Sequence, residues 1–208
     1  TLAQNRGPSG YGLGLKDMDS VVADENFIVG NRVGIFNDNS PQRIDTWNDI
    51  TRNVIAYNDI ALAFLPSVRR NRVFRNAFVE NVAQITILGG GEFKENLFTV
   101  DGRGNYWSDY AGFDANGDGL GDVPYRNTSL FENLMDREPK LRLFLYGPTQ
   151  QAVDFAARAF PVMRPEPRLT DTAPLMRPVA TTAAAPRHAV QGPMSILGVA
   201  LLAAGSLV

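Results

Sequence analysis

Apolar and polar residues alternate along much of the first hundred positions, and asparagine punctuates the alternation at regular intervals. The stretch Asn26-Phe-Ile-Val-Gly-Asn31-Arg-Val-Gly-Ile35 aligns with Asn53 to Leu62 and again with Asn76 to Ile85. Each copy has Asn at its first and sixth places and a large apolar residue at the third: Ile28, Ile55, Phe78. A smaller apolar residue stands at the eighth (Val33, Ile60, Ala83) and a large aliphatic one at the tenth (Ile35, Leu62, Ile85). The copies start at residues 26, 53 and 76, spacings of 27 and 23 residues. Upstream, Leu13-Gly14-Leu15 precedes Ile35 at a similar interval, and Asn96-Leu97-Phe98 reads as the start of a partial copy.

A period of two within each copy is a strand signal, seen again in Leu62-Ala63-Phe64 and Ile85-Thr86-Ile87. Strand, turn and strand repeating every 20–30 residues describe one rung of a parallel β-helix, in which equivalent side chains pile into columns about 4.8 Å apart. The expectation is an all-β fold, a right-handed parallel β-helix. Asparagine suits its corners, because it tolerates left-handed backbone and bonds to local backbone groups. Stacked on its copies, the amide forms a ladder. A β-sandwich would put its strands nearer 8–12 residues apart and would not repeat two asparagines per copy. The residues between Asp38 and Asp49 account for the longer period. They are expected to form a surface loop, with Trp47 packing it down.

Composition narrows the chemistry. With no cysteine, the chain has neither a disulfide scaffold, nor a thiolate metal site, nor a cysteine nucleophile. A single histidine, His188, argues against a histidine-based active site, and a net charge of −2 gives no basic footprint for nucleic acid. The sequence opens on Thr-Leu-Ala without a leader pattern, so a targeting segment is not visible and the chain is expected to be a piece of a longer one. Of 20 basic residues 17 are Arg, and 7 of 13 prolines fall between Pro161 and Pro193, so the C-terminal third is organised differently from the rungs.

After Phe98 the pattern changes. Gly104-Asn-Tyr-Trp-Ser-Asp-Tyr110 leads to Asp114-Ala-Asn116-Gly-Asp118-Gly-Leu120-Gly-Asp122-Val-Pro-Tyr125. Asp114, Asn116, Asp118 and Asp122 fall at places one, three, five and nine of an EF-hand-type loop. Gly119 stands at the sharp turn of place six, and Leu120 offers its carbonyl at seven. These five residues are the candidate ligands of a calcium ion. Place twelve holds Tyr125 instead of the bidentate acid, so the other reading is a turn whose carboxylates cap backbone N–H groups and close the coil. Tyr106 and Trp107 are expected to plug the last rung.

Asn-rich rungs followed by Gly-Asn-Tyr-Trp-Ser-Asp-Tyr and Asp-x-Asn-Gly-Asp-Gly-Leu-Gly-Asp-x-Pro-Tyr resemble the C-terminal half of the NosD family. Leu141-Arg-Leu-Phe-Leu-Tyr-Gly-Pro and the run from Ala157 to Pro165 are similar to it as well, and the resemblance covers most of residues 11–178. That family consists of periplasmic β-helix proteins needed to mature nitrous-oxide reductase. The resemblance implies a non-catalytic role in assembling the reductase's copper centre. The implied partners are the membrane and ATPase subunits of an ABC-type transporter, a copper chaperone and the reductase, with copper carried transiently. It supplies no copper ligand motif. Met163, Met176 and His188 are the soft or borderline donors in the tail, without a tight cluster.

Four stretches result: rungs over 1–110, a cap with the Asp/Gly loop over 111–148, a short helix and Pro/Arg-rich extended tail over 149–193, and an apolar segment over 194–208. The helix is expected from Thr149 as N-cap to Pro161 as stop, with Ala152, Val153, Ala156 and Phe160 on one face. That face packs on the coil or binds a partner. The tail beyond it, whose final acid is Asp171, wraps the coil or reaches outward. Residues 194–208 are uncharged but shorter than the roughly 20 residues of a membrane span, so they either belong to an anchor or pack as a terminus. The competing function is a polysaccharide-binding or polysaccharide-cleaving β-helix. It would need paired acids, whereas Glu25, Asp59, Glu80, Arg52, Arg72 and Arg75 are scattered over the rungs.

Overall fold

The computed structural model describes residues 1–89, 93–128, 139–144, 148–159 and 167–179. Its strands stack in parallel as a β-solenoid. One sheet contains β1 (Leu2–Ala3), β4 (Phe27–Val29), β7 (Val54–Ala56), β10 (Ala77–Val79) and β12 (Tyr106–Trp107), in that order. A second contains β2 (Tyr11–Lys16), β5 (Val33–Asp38), β8 (Ile60–Phe64) and β11 (Ala83–Ile87). The third contains β3 (Val22–Asp24), β6 (Asn48–Thr51) and β9 (Asn71–Phe74). The repeat alignment is the register: Ile28 pairs with Ile55 and Ile55 with Phe78, while Ile35 pairs with Leu62 and Leu62 with Ile85. Inward residues from all three sheets, among them Ile28, Ile35, Ile50, Ile55, Leu62 and Val73, merge into one core at full burial. No sheet could bury that face alone, so the rungs hold one another.

Asparagine ladders run along three corners. In the first, the backbone N–H and the side-chain amide of Asn26 both donate to Oδ1 of Asn53; Asn53 does the same to Asn76, and Asn76 to Asn105. In the second, Asn5 donates to Asn31, Asn31 to Asn58 and Asn58 to Asn81. The third, from Asn48 through Asn71 to Asn96, is not apparent in the aligned copies. It corrects one expectation. Asn96 does not open a further copy but stacks under Asn71, and Asn105 is the residue that continues the first ladder.

A second correction concerns the corner backbone. The left-handed residue is the one before the asparagine: Gln4, Glu25, Arg52, Tyr57, Arg70, Arg75, Glu80 and Glu95 all have φ between 48° and 58°. Left-handed backbone costs an ordinary residue about 1 kcal/mol, and the amide bonds of the neighbouring asparagine offset it. The turn therefore reads in sequence as "any residue, then Asn".

The loop of residues 39–47 is bound to the rung before it. Asp19 accepts from the backbone N–H groups of Gln42 and Arg43 and from the Thr46 hydroxyl, while Ser40 donates to the Met18 carbonyl. The Arg43 N–H leads the contacts that hold the Asp19 carboxyl below the ordinary carboxylate range. Trp47 is half-buried beneath the Arg72 guanidinium, which lies 6.0 Å from its ring centroid.

A 3₁₀ helix (Pro139–Phe144) and helix α1 (Pro148–Ala159) follow the coil. Helix α1 starts one residue before the expected cap, with Pro148 in the first turn, where its missing N–H costs nothing. Val153 and Ala156 are half-buried and Ala152 is exposed; Phe160 and Pro161 lie outside the described residues. A two-stranded antiparallel piece, β13 (Tyr125–Asn127) with β14 (Leu169–Asp171), brings part of the tail back onto the cap, so there it wraps rather than reaches outward. Among the described residues no helix is long and apolar enough to cross a membrane, and residues 194–208 lie outside them.

Candidate functional site

The last rung gathers the chemistry. Phe78, Trp107 and Tyr125 form a stack with ring centroids 4.4 and 4.3 Å apart and planes within 10° of parallel. Trp107 is 1% exposed and Tyr125 6%. Trp107 is thus the expected plug, whereas Tyr106 is only half-buried. Tyr125 explains the missing twelfth place of the Asp/Gly loop: its ring completes the stack, and a carboxylate there would be buried against the rings of Trp107 and Tyr110.

Asp171 sits at the end of the first ladder, completely buried. Its Oδ2 accepts from the Asn105 N–H at 2.7 Å and the Trp107 indole at 2.9 Å. Oδ1 accepts from the Thr99 hydroxyl and the Ala173 N–H. Burial pushes its carboxyl up from 3.8, and these donors pull the other way without overcoming the loss of water. Gly104 makes room for it, since a Cβ there would stand 1.8 Å from Oδ1.

Beside this plug opens a cleft of about 640 Å³, bounded by the start of β11 and by residues 108–113 and 123–128. On its floor, Gln84 donates to the Ser108 hydroxyl oxygen and to Asp109, both at 3.3 Å, and the Tyr125 hydroxyl donates to Asp109 at 3.2 Å. Burial, followed by the Asp109 charge, raises the Tyr125 hydroxyl well above its ordinary value and keeps it a donor. Glu80 and Arg126 also line the cleft, and Val82, Phe113 and Val123 give its rim exposed apolar surface. Three separate segments build the cleft, so no local pattern announced it. The hydroxyl end of Tyr110 is held between Gly112 and Gly121, where added Cβ atoms would lie 2.0 and 2.1 Å from it.

The candidate calcium ligands share one exposed turn. Asp114 accepts from the N–H groups of Gly117 and Gly119, Asn116 from Asp118, Asp118 from Leu120, and Asp122 from Ala115. Gly117 and Gly119 take left-handed φ values of 77° and 84°. Among the described residues no three carboxylate or imidazole groups gather as a metal site. Of the candidate copper donors, Met176 is half-buried and its N–H donates to the Gly119 carbonyl, while Met163 and His188 lie outside the described residues.

Four of the charges considered for a polysaccharide groove, Glu25, Arg52, Asp59 and Arg72, form ion pairs instead. Arg52 bridges Asp24 and Glu25, Arg72 bonds Asp49, and Asp59 accepts from Arg6. Glu80 lies at the cleft, and the Arg75 guanidinium sits over Phe74.

Comparison with known proteins agrees with the rungs. A family model described as "Periplasmic copper-binding protein (NosD)" matches residues 1–112, more than half of the chain. A relative from Pseudomonas aeruginosa, named "Probable ABC transporter binding protein NosD", is 38% identical over 131 residues, which is 63% of this chain and 30% of the relative. One of the same name from Stutzerimonas stutzeri is 35% identical over 131 residues, 63% of this chain and 29% of its own length. The match thus spans about three tenths of these curated relatives. With Asn-ladder rungs, an aromatic plug and a family match over the whole coil, the chain belongs to the NosD family.

Proposed function

We propose that this chain is part of a periplasmic accessory protein for copper-centre assembly in nitrous-oxide reductase, acting beside an ABC-type transporter, with copper as cargo. Family membership carries the reading: the matched family is described as periplasmic and copper-binding, and both relatives are named for binding an ABC transporter. The surface supports it. Arg52 and Arg72 are engaged with acids of neighbouring rungs and Arg6 with Asp59 two rungs away, which suits a rigid scaffold better than a catalytic groove. Two carboxylates cleaving a glycosidic bond must face each other within about 5–10 Å across the substrate, and Asp24, Asp49 and Asp59 bond to arginines instead.

The test is genetic and biochemical. A denitrifying strain lacking its own family member and given the gene encoding this sequence should regain copper-loaded reductase, read as copper per enzyme. The purified protein should turn over no acidic polysaccharide. Robust lyase or hydrolase activity would return the fold to the polysaccharide reading.

The Asp114–Asp122 turn is proposed as a separate calcium site. Four side chains bearing oxygen on one turn at the spacing of a calcium loop, with Gly119 providing the sharp bend, support it. Calorimetric titration with calcium should give heat that Asp118→Ala removes; a trace at background for the unaltered protein would leave the turn a backbone cap.

A further inference from the structure

We propose that Asn116 is a site of self-modification, where the Asp/Gly turn converts asparagine to aspartate or isoaspartate, and that Asp114 sets the rate by holding the Gly117 N–H. Of the 16 asparagines, Asn116 alone precedes glycine. A glycine nitrogen has no neighbouring side chain to screen it, and a Cβ built on Gly117 would meet nothing within 4 Å. Both residues are exposed. The ladder asparagines are the opposite case. Asn53 and Asn76 are 1% and 0% exposed, and the oxygen and nitrogen of each amide are both bonded.

The turn holds the reacting groups together. Asn116 Oδ1 accepts the Asp118 N–H at 2.9 Å, which closes a ring containing both the Asn116 amide carbon and the Gly117 nitrogen. The amide is thereby folded back over the peptide bond that follows it, and its carbonyl is polarised. Water takes the Gly117 amide proton, the nitrogen bonds to Cγ, and the Cγ–Nδ2 bond breaks as ammonia leaves with a proton from solvent. A water molecule then opens the cyclic imide. Opening at Cγ gives aspartate in an unaltered main chain; opening at the Asn116 backbone carbonyl gives isoaspartate, with one extra carbon in the main chain.

Asp114 opposes the first step. Its Oδ1 accepts the Gly117 N–H at 2.7 Å and its Oδ2 the Gly119 N–H at 2.8 Å, so the attacking nitrogen keeps its proton while the turn is closed. Asp118, which accepts from the Asn116 amide at 3.1 Å, adds negative charge that disfavours an anionic nitrogen. Reaction therefore follows local opening of the turn, which the Asp114 bonds control. The turn also clasps the tail: Gly119 accepts from Met176, and Gly121 donates to Pro174. An extra main-chain carbon at 116 shifts these partners and loosens the tail there.

Peptide mapping by mass spectrometry, with an isoaspartate-specific methyltransferase as second probe, follows each asparagine during incubation of the folded protein at mildly alkaline pH. A chelator keeps cations off the turn, so the result does not depend on the calcium reading. Asn116 should react ahead of Asn39, which is also exposed but precedes serine. Asp114→Ala and Asp114→Asn should keep the coil's circular dichroism and react about tenfold faster than the unaltered protein, the scale of one charge-assisted hydrogen bond. In urea the three proteins should react alike. The modified form should exchange its Gly121 and Met176 amide hydrogens faster than the unmodified one. Conversion of Asn39 before Asn116 would overturn the proposal, as would folded variants that react no faster than the unaltered protein. A rate difference that persists in urea would place the effect in the local sequence and overturn the role of Asp114. Equal exchange in the modified and unmodified forms would overturn the link to the tail.

Discussion

Asn76→Ala should lower the free energy of unfolding by about 4 kcal/mol, read from urea denaturation followed by far-ultraviolet circular dichroism. Asn76 is fully buried and works in both directions along the ladder. Its Oδ1 accepts from the backbone and the amide of Asn53, and its own amide donates to the Ile50 and Phe74 carbonyls and to Asn105. Truncation removes five hydrogen bonds in a place water cannot reach, each worth about 1 kcal/mol. Asn76→Asp is the informative companion. It keeps the acceptor but points a carboxylate at three oxygens, and at neutral pH it should be no more stable than the alanine variant. If both substitutions cost under about 1 kcal/mol, within the range of ordinary surface changes, the ladder would be decoration on a coil held by its apolar core.

Asp171→Ala should cost about 3 kcal/mol at neutral pH, because the Asn105 N–H, the Trp107 indole and the Thr99 hydroxyl all lose their acceptor. Its pH dependence tests the cause. Burial raises the folded carboxyl above 3.8, so as the pH falls from neutrality the folded protein takes up this proton before the unfolded chain does. Asp171 therefore contributes most below the unfolded value and loses that contribution as the pH rises through the raised folded one. Asp171→Asn keeps an acceptor oxygen but cannot titrate. The stability of the unaltered protein relative to Asp171→Asn should grow as the pH is lowered and level off below about 3.8. A difference that shrinks on acidification would mean that the surrounding donors, not burial, dominate this carboxyl.

The rungs were legible because their signal is local and periodic. Asn26, Asn53 and Asn76 recur with Ile28, Ile55 and Phe78 two places on, and the structure pairs these residues as aligned. The third ladder keeps the 23-residue interval from Asn48 to Asn71, but Val21 stands at its place in the first rung, so no third asparagine upstream marks it. Asn96, followed by Leu97 and Phe98, reads as the start of a partial copy, yet it stacks against Asn71 in the third ladder. Asp171 lies 66 residues from Asn105, beyond the reach of any period. Two clues to it were present: a last acid flanked by Leu169 and Leu175 in an Arg-rich tail, and Gly104 where earlier rungs have Glu25, Arg52 and Arg75. The cleft around Gln84, Asp109 and Tyr125 depends on three segments meeting, which local pattern does not encode.

The unequal spacing of the copies bears on how such a chain can change. Because Asp19, Ser40 and Arg43 take up the extra residues at one corner, Ile28 and Ile55 still meet Phe78 in register. The coil measures itself by asparagines rather than by residues. A corner can lengthen, shorten or acquire a new side chain while the columns beneath it stay aligned. Variation in surface is thereby uncoupled from variation in core, and a recognition loop can be altered on one rung without retuning the others.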